Sequence, residues 1–463
     1  MGGIIVLVCS ILLLGFLFFQ PKLGAILVWP ILLAYPHHYW EQLGLMPMNI
    51  GFDDLFICVF FLMVFIRRNM IDGLPVRLGY VFWCSAFLLL FILTSHINGY
   101  FKMGASFREF AKTILKGVID VLLVYSLVNT IDNVKDLGRT AFAFCFFVGI
   151  SGILIILQQY FPAPMSIFTQ TPETTMALAE LVRPTGAFVN ANSGALVMDT
   201  AYLIIVCTLG LKSRFFTKSM RFAALCILLL AIFFTRSRSG FMCLVIPLML
   251  MAVLGKNKRY AWAVIVLAIV GIAVSPAIIS RLFERFQAGG GIIEGIKVHS
   301  ADSLEAWRHV TWDRLLFGQP PSVDMYLWNL APHGFYLGTP LRYGFGGVLV
   351  VVILFTVMLR KSRAMKVSLE STIRSLGSAV RWGVLAYLLY GLVGTPFGNI
   401  HVRYTLFLLA VLADRGFAIM NQDEQLYQVA TELGDNNLAT ADDYNLVDYN
   451  DVGTDPSYEE NMS

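Results

Sequence analysis

Long apolar runs leave this chain few ways to fold. Predominantly apolar segments cover Ile4–Phe19, Leu23–Tyr35, 54–66, 78–94, 106–128, 139–160, 192–211, 222–234, 239–254, 260–279, 334–359, 382–395 and 402–414. Repeated runs of this kind suit helices crossing about 30 Å of hydrocarbon. In lipid every backbone N–H and C=O must be paired within the protein, which restricts such runs to helices. Residue usage agrees: 57% of the chain is hydrophobic and 14% charged, where soluble chains carry about a quarter charged residues. The expected fold is all-α, a polytopic membrane protein with about 12–13 transmembrane helices. The first two runs are short and read as two spans, a helical hairpin or one kinked element. No basic leader or small-residue cleavage site marks the first run, so it reads as a retained span rather than a signal peptide.

One polar stretch, 280–333, interrupts this pattern more than any other. It carries His299, His309 and His333, with Arg281, Arg285, Arg308 and Arg314, and Arg342 follows just beyond it. Unpaired backbone cannot lie in hydrocarbon, so the stretch is expected to stand in water as one large external loop covering a site.

Orientation follows from where Lys and Arg collect in short loops. Five groups stand out: Arg67, Arg68 and Arg77; Lys135 and Arg139; Lys212, Arg214, Lys218 and Arg221; Lys256, Lys258 and Arg259; and Arg360, Lys361, Arg363, Lys366, Arg374 and Arg381. Two proposed spans separate each group from the next, so all five fall on one face, expected to be cytoplasmic. The opposite face receives 36–53, 95–105, 161–191, 235–240, the large loop and 394–403. From Gly416 onward the chain has eleven acidic residues and no Lys or Arg. The expected division is therefore a membrane domain, 1–414, and an acidic, disordered cytoplasmic tail, 415–463.

Charged residues in or beside membrane spans are costly and point to function by default. Four groups qualify. Arg183–Asn192 (RPTGAFVNAN) leads into a span, and its arginine, asparagines and helix-start N–H groups suit an anion; alternatively Asn190 or Asn192 is simply an N-cap. In TRSRSG, Arg236 and Arg238 form a fork suited to phosphate oxygens; snorkelling interfacial arginines are the alternative. His333, followed by Gly334, Phe335 and Tyr336, sits where the large loop re-enters the membrane. Its imidazole could take a proton from a hydroxyl near neutral pH, or serve structure alone. Arg108, Glu109, Lys112, Lys116 and Asp120 lie on one span, with the basic residues four apart. Ion pairs between helices are the leading reading, and a basic stripe for lipid phosphate the other.

The sequence contains no P-loop, HExxH, GxGxxG with a following acid, or clustered carboxylates in the external loops to hold a divalent metal. Its seven cysteines fall in apolar runs without a CxxC pair, and read as small buried residues. The basic candidate site suits phosphate or diphosphate without metal or other cofactor.

The order of these motifs resembles the bacterial O-antigen ligase and polymerase superfamily. The resemblance rests on Arg183 to Asn192; Ser237-Arg238-Ser239-Gly240; Trp307 through Leu315-Leu316-Phe317-Gly318; and His333-Gly334-Phe335-Tyr336-Leu337 followed by Tyr343-Gly344-Phe345-Gly346-Gly347. It covers roughly residues 100–415. It implies a membrane glycosyltransferase of the C-type class in the bacterial inner membrane, with its site on the periplasmic face. The implied substrate is an undecaprenyl-diphosphate-linked saccharide, and no metal is needed. Carried over by motif, Arg238, with Arg236 close by, would bind the diphosphate. Arg183 would assist, and His333 would activate or orient the acceptor hydroxyl. Asn190, Asn192, Arg308, Tyr336 and Arg342 complete the expected substrate-binding set.

The chain departs from the family pattern in three places. His333-Gly334 stands where the family usually has His-Asn. Asp302-Ser303 replaces a Gly-Arg pair before the loop tryptophan, leaving Arg308, Arg281 or Arg285 as substitutes. Arg342 stands where an acidic residue is common. Polymerisation of lipid-linked repeat units into exopolysaccharide or O-antigen is the first reading. Ligase-type transfer to lipid A core or protein is the alternative, followed by a lipid-linked saccharide flippase or transporter and by a scaffold for polysaccharide assembly. Expected partners are the lipid-linked saccharide, the bilayer and assembly proteins such as a flippase and a chain-length regulator, with no nucleic acid.

Overall fold

A computed structural model describes residues 17, 19–34, 52–103, 107–162, 173–174, 182–188, 190–213, 216–254, 259–274, 312–318, 335–392, 394 and 399–432. The chain divides into two compact units, Met1–Phe417 and Ala418–Ser463. The first holds the helical bundle.

After a 3-10 turn at Pro21–Leu23 come α1 (Gly24–Ala34), α2 (Phe52–Val64), α3 (Tyr80–Met103), α4 (Phe107–Thr130) and α5 (Val134–Tyr160). Next are α6 (Ala191–Thr208), α7 (Lys218–Thr235), α8 (Arg238–Leu254) and α9 (Arg259–Val274). The last are α10 (Trp312–Phe317), α11 (Phe335–Met365), α12 (Ser371–Tyr390) and α13 (Ile400–Glu432). The only strands among the described residues are β1 (Glu173–Thr174) and β2 (Val182–Arg183), paired antiparallel with Glu173 opposite Arg183. The described part of every apolar run from Leu23 onward lies largely on one of these helices. The first run lies outside the described residues except for Leu17 and Phe19. Among the described residues five helical stretches are long and apolar enough to cross a membrane by length and composition, so the chain reads as a polytopic helical membrane protein.

The tail expected from 415 starts differently. The helix beginning at Ile400 runs on to Glu432, and no Gly or Pro occurs between Gly416 and Gly434 to interrupt it. Residues 433–463 lie outside the described set.

Helix α6 is the core of the packing. In its most apolar window 89% of residues are buried, and α5, α7, α8 and α12 all pack against it. On one side α12 leads to α11, then α3, α4 and α2 in turn. On the other, α1 packs along α5, where Trp29 meets Phe144 edge-on at 5.2 Å. Leu33 O accepts a hydrogen bond from Ser151 there. The Tyr387 hydroxyl donates to Val402 O at 2.7 Å, joining α12 to α13.

Charges concentrate at the two ends of the bundle. At the end bearing the basic groups, Asp132 accepts from Arg68 at 2.8 Å and also binds Arg77. Lys22 bridges Asp132 and Asp136, at 3.0 and 2.7 Å. Burial alone would raise the Asp132 carboxyl, but the bonds from Lys22 and Arg68 outweigh it and hold the group below its usual range. These contacts bring together ends that the sequence alternation assigns to one face.

Toward the other end, Lys116 pairs with the buried Asp54. Asp120 of α4 pairs with Arg403 of α13 at 2.9 Å. These are the helix-to-helix ion pairs expected for the α4 charges. Removing one member of a buried pair strands the other charge, whereas removing both need not destabilise. Asp120→Leu or Arg403→Leu alone should cost about 3–5 kcal/mol. The double variant Asp120→Leu/Arg403→Leu should recover most of that loss in thermal melts of the detergent-purified protein.

Candidate functional site

The site is built where two short segments meet at the starts of α6 and α8. In the first, Gln158 at the end of α5 receives the backbone N–H groups of Thr185 and Gly186, at 2.9 and 2.8 Å. That bond fixes the Pro184-Thr185-Gly186 turn. Gly186 has φ +59°, and a Cβ there would lie 2.6 Å from Ile155, so the turn requires glycine. Phe188 is fully buried. Asn190 then caps α6, its side-chain oxygen accepting from Ser193 N at 2.7 Å.

The second segment, TRSRSG, contains no spare residue. Arg236 ends α7 in a left-handed conformation, φ 52°, the only such non-glycine among the described residues. Ser237 starts α8 by accepting from Gly240 N at 3.0 Å, an N-cap bond to the third helical position. Arg238 is the first residue of α8. A non-glycine held left-handed costs about 1–2 kcal/mol, and strain of this kind collects at functional sites.

A direct bond joins the two segments: Ser237 Oγ donates to Asn192 Oδ1 at 2.9 Å. Ser239 Oγ lies 3.0 Å from Ser237 Oγ. Two helix N-termini, whose free N–H groups favour anions, are thereby held together beside two arginines. Arg236 is 8% exposed. One guanidinium nitrogen of Arg238, Nη1, is buried without a hydrogen-bond partner among the described residues. A buried cationic N–H left unmatched is costly in the empty protein and available to an anion.

Below this junction the α6–α8 seam tightens. A Cβ on Gly240 would fall 2.4 Å from the Ala195 methyl, so the helices approach closely there. Asp199 lies one turn beyond Ala195, fully buried and with neither carboxylate oxygen hydrogen-bonded among the described residues. It is within electrostatic reach of Cys243 on α8. Asn192, Ala195 and Asp199 thus share one face of α6. Asp199 does not stand out in the sequence because a single Asp in a run of apolar residues has no motif around it.

Other expected residues divide clearly. Asn190 is assigned to substrate binding by sequence, but its side-chain oxygen is spent capping α6, which fulfils the structural alternative. Asn192 is the asparagine that reaches TRSRSG. The Tyr336 hydroxyl donates to Leu388 O at 2.7 Å, tying α11 to α12. Arg342 sits beside Tyr343, whose own surroundings include Arg403 and Asp120. The contacts described for Tyr336 and Arg342 do not reach the Asn192–Ser237 junction. The backbone of Arg183 lies in β2, but its side chain is outside the described residues, as are His333 and Arg308. His401 is inconspicuous in the sequence. It is 1% exposed and meets Phe188 edge-on at 5.3 Å, beside the Asn190 turn. Its only sequence signal is its place just after Asn399, whose side chain accepts from His401 N at 3.0 Å.

The structure also explains two motifs from the end of the large loop. Helix α10 ends in Leu315-Leu316-Phe317-Gly318, and α11 kinks at Gly344, φ +66° and ψ 179°. The two backbones touch. A Cβ on Gly318 would lie 2.4 Å from Arg342 O, and one on Gly344 would lie 2.3 Å from Leu316 O. The LLFG and YGFGG sequences are therefore two halves of one crossing.

Among the described residues no group of three or more His, Cys, Asp or Glu gathers as a metal-binding set. No family model matches the chain, and no curated protein matches it significantly.

Gly73 supplies an internal control for the crossing, with φ +63° but nothing within 4 Å of the place a Cβ would occupy. Gly73→Ala should therefore cost only the left-handed penalty of about 1–2 kcal/mol. Gly344→Ala adds a backbone collision and should lower the melting temperature several times further, or abolish accumulation in the membrane.

Proposed function

We propose that this chain is a membrane glycosyltransferase that polymerises saccharide repeat units carried on undecaprenyl diphosphate, working at the external membrane face. The observation that carries the proposal is the buried, unpartnered Nη1 of Arg238 beside Arg236 at the joined starts of α6 and α8. A diphosphate supplies the oxygen that Arg238 Nη1 lacks among the described residues. Motif order supports the rest of the reading, since the α6 approach, the SRSG turn and the LLFG–GFGG crossing occur in the sequence expected for the O-antigen ligase and polymerase superfamily.

In this mechanism an acceptor hydroxyl attacks the anomeric carbon. The bond from that carbon to the diphosphate oxygen breaks, and undecaprenyl diphosphate leaves with the electron pair. Arg238 and Arg236 stabilise the charge gathering on the leaving group, and His333 takes the hydroxyl proton. Because diphosphate is already a good leaving group, positioning and fixed positive charge supply most of the required catalysis. Ligase-type transfer would use the same site with another acceptor.

Asp199 favours a second reading, transport of a lipid-linked solute, because unpaired carboxyls inside a bundle are frequent in transport pathways. Complementation of a deletion strain separates these readings, using wild type, His333→Ala, Arg238→Ala and Asp199→Leu with analysis of undecaprenyl-linked saccharides. Polymerase function predicts that Arg238→Ala lowers long-chain product about a hundredfold, with single repeat units accumulating. Ligase function predicts long chains retained on the carrier. Transport predicts saccharide trapped on the cytoplasmic leaflet, most severely in Asp199→Leu. Full complementation by both His333→Ala and Arg238→Ala would refute the site.

A further inference from the structure

At the basic end of the bundle, remote in sequence from the TRSRSG junction, a cavity of about 410 Å³ opens between α1, the segment after α2, and α5. Its size suits a small ligand or a headgroup. The apolar wall is formed by Leu23, Ala25 and Ile26, and Lys22, Arg67 and Arg139 supply positive charge. Phe19, 75% exposed, stands at the rim.

The carboxylates here are already engaged. Asp136 is bound by Lys22, and Asp72 by Arg67 at 3.3 Å. The nearby Asp132 is shared by Lys22, Arg68 and Arg77. Arg139 and Lys135, one helical turn apart on α5, are both exposed. Neither has an ion-pair partner among the described residues. The wall also departs from regular helix: α2 passes into a π-helical turn, Phe65–Ile71, that carries Arg67. Such turns are frequent at functional sites.

We propose that this cavity binds the headgroup of an anionic phospholipid from the leaflet at the basic end of the bundle, with Arg139 and Lys135 taking the phosphate and the apolar wall flanking the acyl-chain side. Charge complementarity selects the occupant. Three cations (Lys22, Arg67, Arg139) line the cavity with two carboxylates (Asp72, Asp136), and Arg139 and the adjoining Lys135, which have no ion-pair partner among the described residues, lie on the exposed side. A cationic pocket between membrane helices, bordered by apolar surface, suits an anionic headgroup better than a fully soluble anion. The proposal depends on the membrane assignment and not on the glycosyltransferase reading.

The test uses the full-length protein purified in a neutral detergent. Its melting temperature is followed while phosphatidylglycerol, phosphatidylcholine or inorganic phosphate is added. Phosphatidylglycerol should raise the melting temperature saturably, and the other two should not. In Lys135→Gln/Arg139→Gln the half-saturating concentration should rise about tenfold or more. Lys212→Gln/Lys218→Gln, which removes equal charge from another basic loop, should bind as wild type does. Should the first double variant fail to fold, Arg139→Gln alone carries the same comparison, with an expected weakening of about fivefold. An equal response to phosphatidylcholine, an equal loss in the control variant, or reproduction of the shift by inorganic phosphate would each overturn the proposal. Complementation activity is not the readout, so failure here leaves the diphosphate site standing.

Discussion

The hydrogen bond from Ser237 to Asn192 sets the geometry of the junction between the starts of α6 and α8. It joins side chains forty-five positions apart in sequence, and each partner stands at the start of its own helix. The α7–α8 corner has no slack, because Arg236 closes one helix and Ser237 opens the next. The positions of both arginines therefore follow from helix geometry rather than from a loop's preferences. A constellation built on helix ends supported by a close-packed seam is held more tightly than one displayed on loops. The same geometry holds Arg238 Nη1 buried, without a hydrogen-bond partner among the described residues.

The two ends of the bundle handle charge differently, in keeping with the bilayer as solvent. Within the helices, charges meet singly across elements, as Lys116 with Asp54 and Arg403 with Asp120. At the basic end Asp132 instead gathers three cations. The first arrangement limits the cost of burying ions. The second fastens the chain near Lys22 to the α2–α3 and α4–α5 connections, at an interface where some side chains still reach water.

Much of this architecture could be read directly from the chain, for identifiable reasons. Apolar runs report helices well because lipid permits little else, so the described part of each run from Leu23 onward lies largely on a helix. The arginines of TRSRSG could be found because charge between two apolar runs is conspicuous. Pairing was harder to read. Nothing local distinguishes Asn190, a cap, from Asn192, a link to another helix, since both are asparagines two residues apart in the same turn. Asp199 was hidden because its meaning comes from the Ala195–Gly240 approach above it. His401 was hidden because Phe188, its neighbour, is more than two hundred residues away. The extension of α13 beyond 414 was missed for a different reason: the acidic composition that signals disorder over a long tail says little about its first turns, which directly continue an established helix.

The contact between Gly318 and Gly344 ties the end of α10 to the kink in α11. Where two chains cross with no side chains between them, there is no compliant layer to absorb displacement. The end of α10 and the bend in α11 form a single mechanical joint. A rearrangement of the loop that moves Gly318 must therefore either break the crossing or turn the kinked end of α11, which also carries Tyr336 and its bond to α12. The unit that could be exchanged between related proteins is thus not α10 by itself, but α10 together with the glycine-rich helix turn that it crosses.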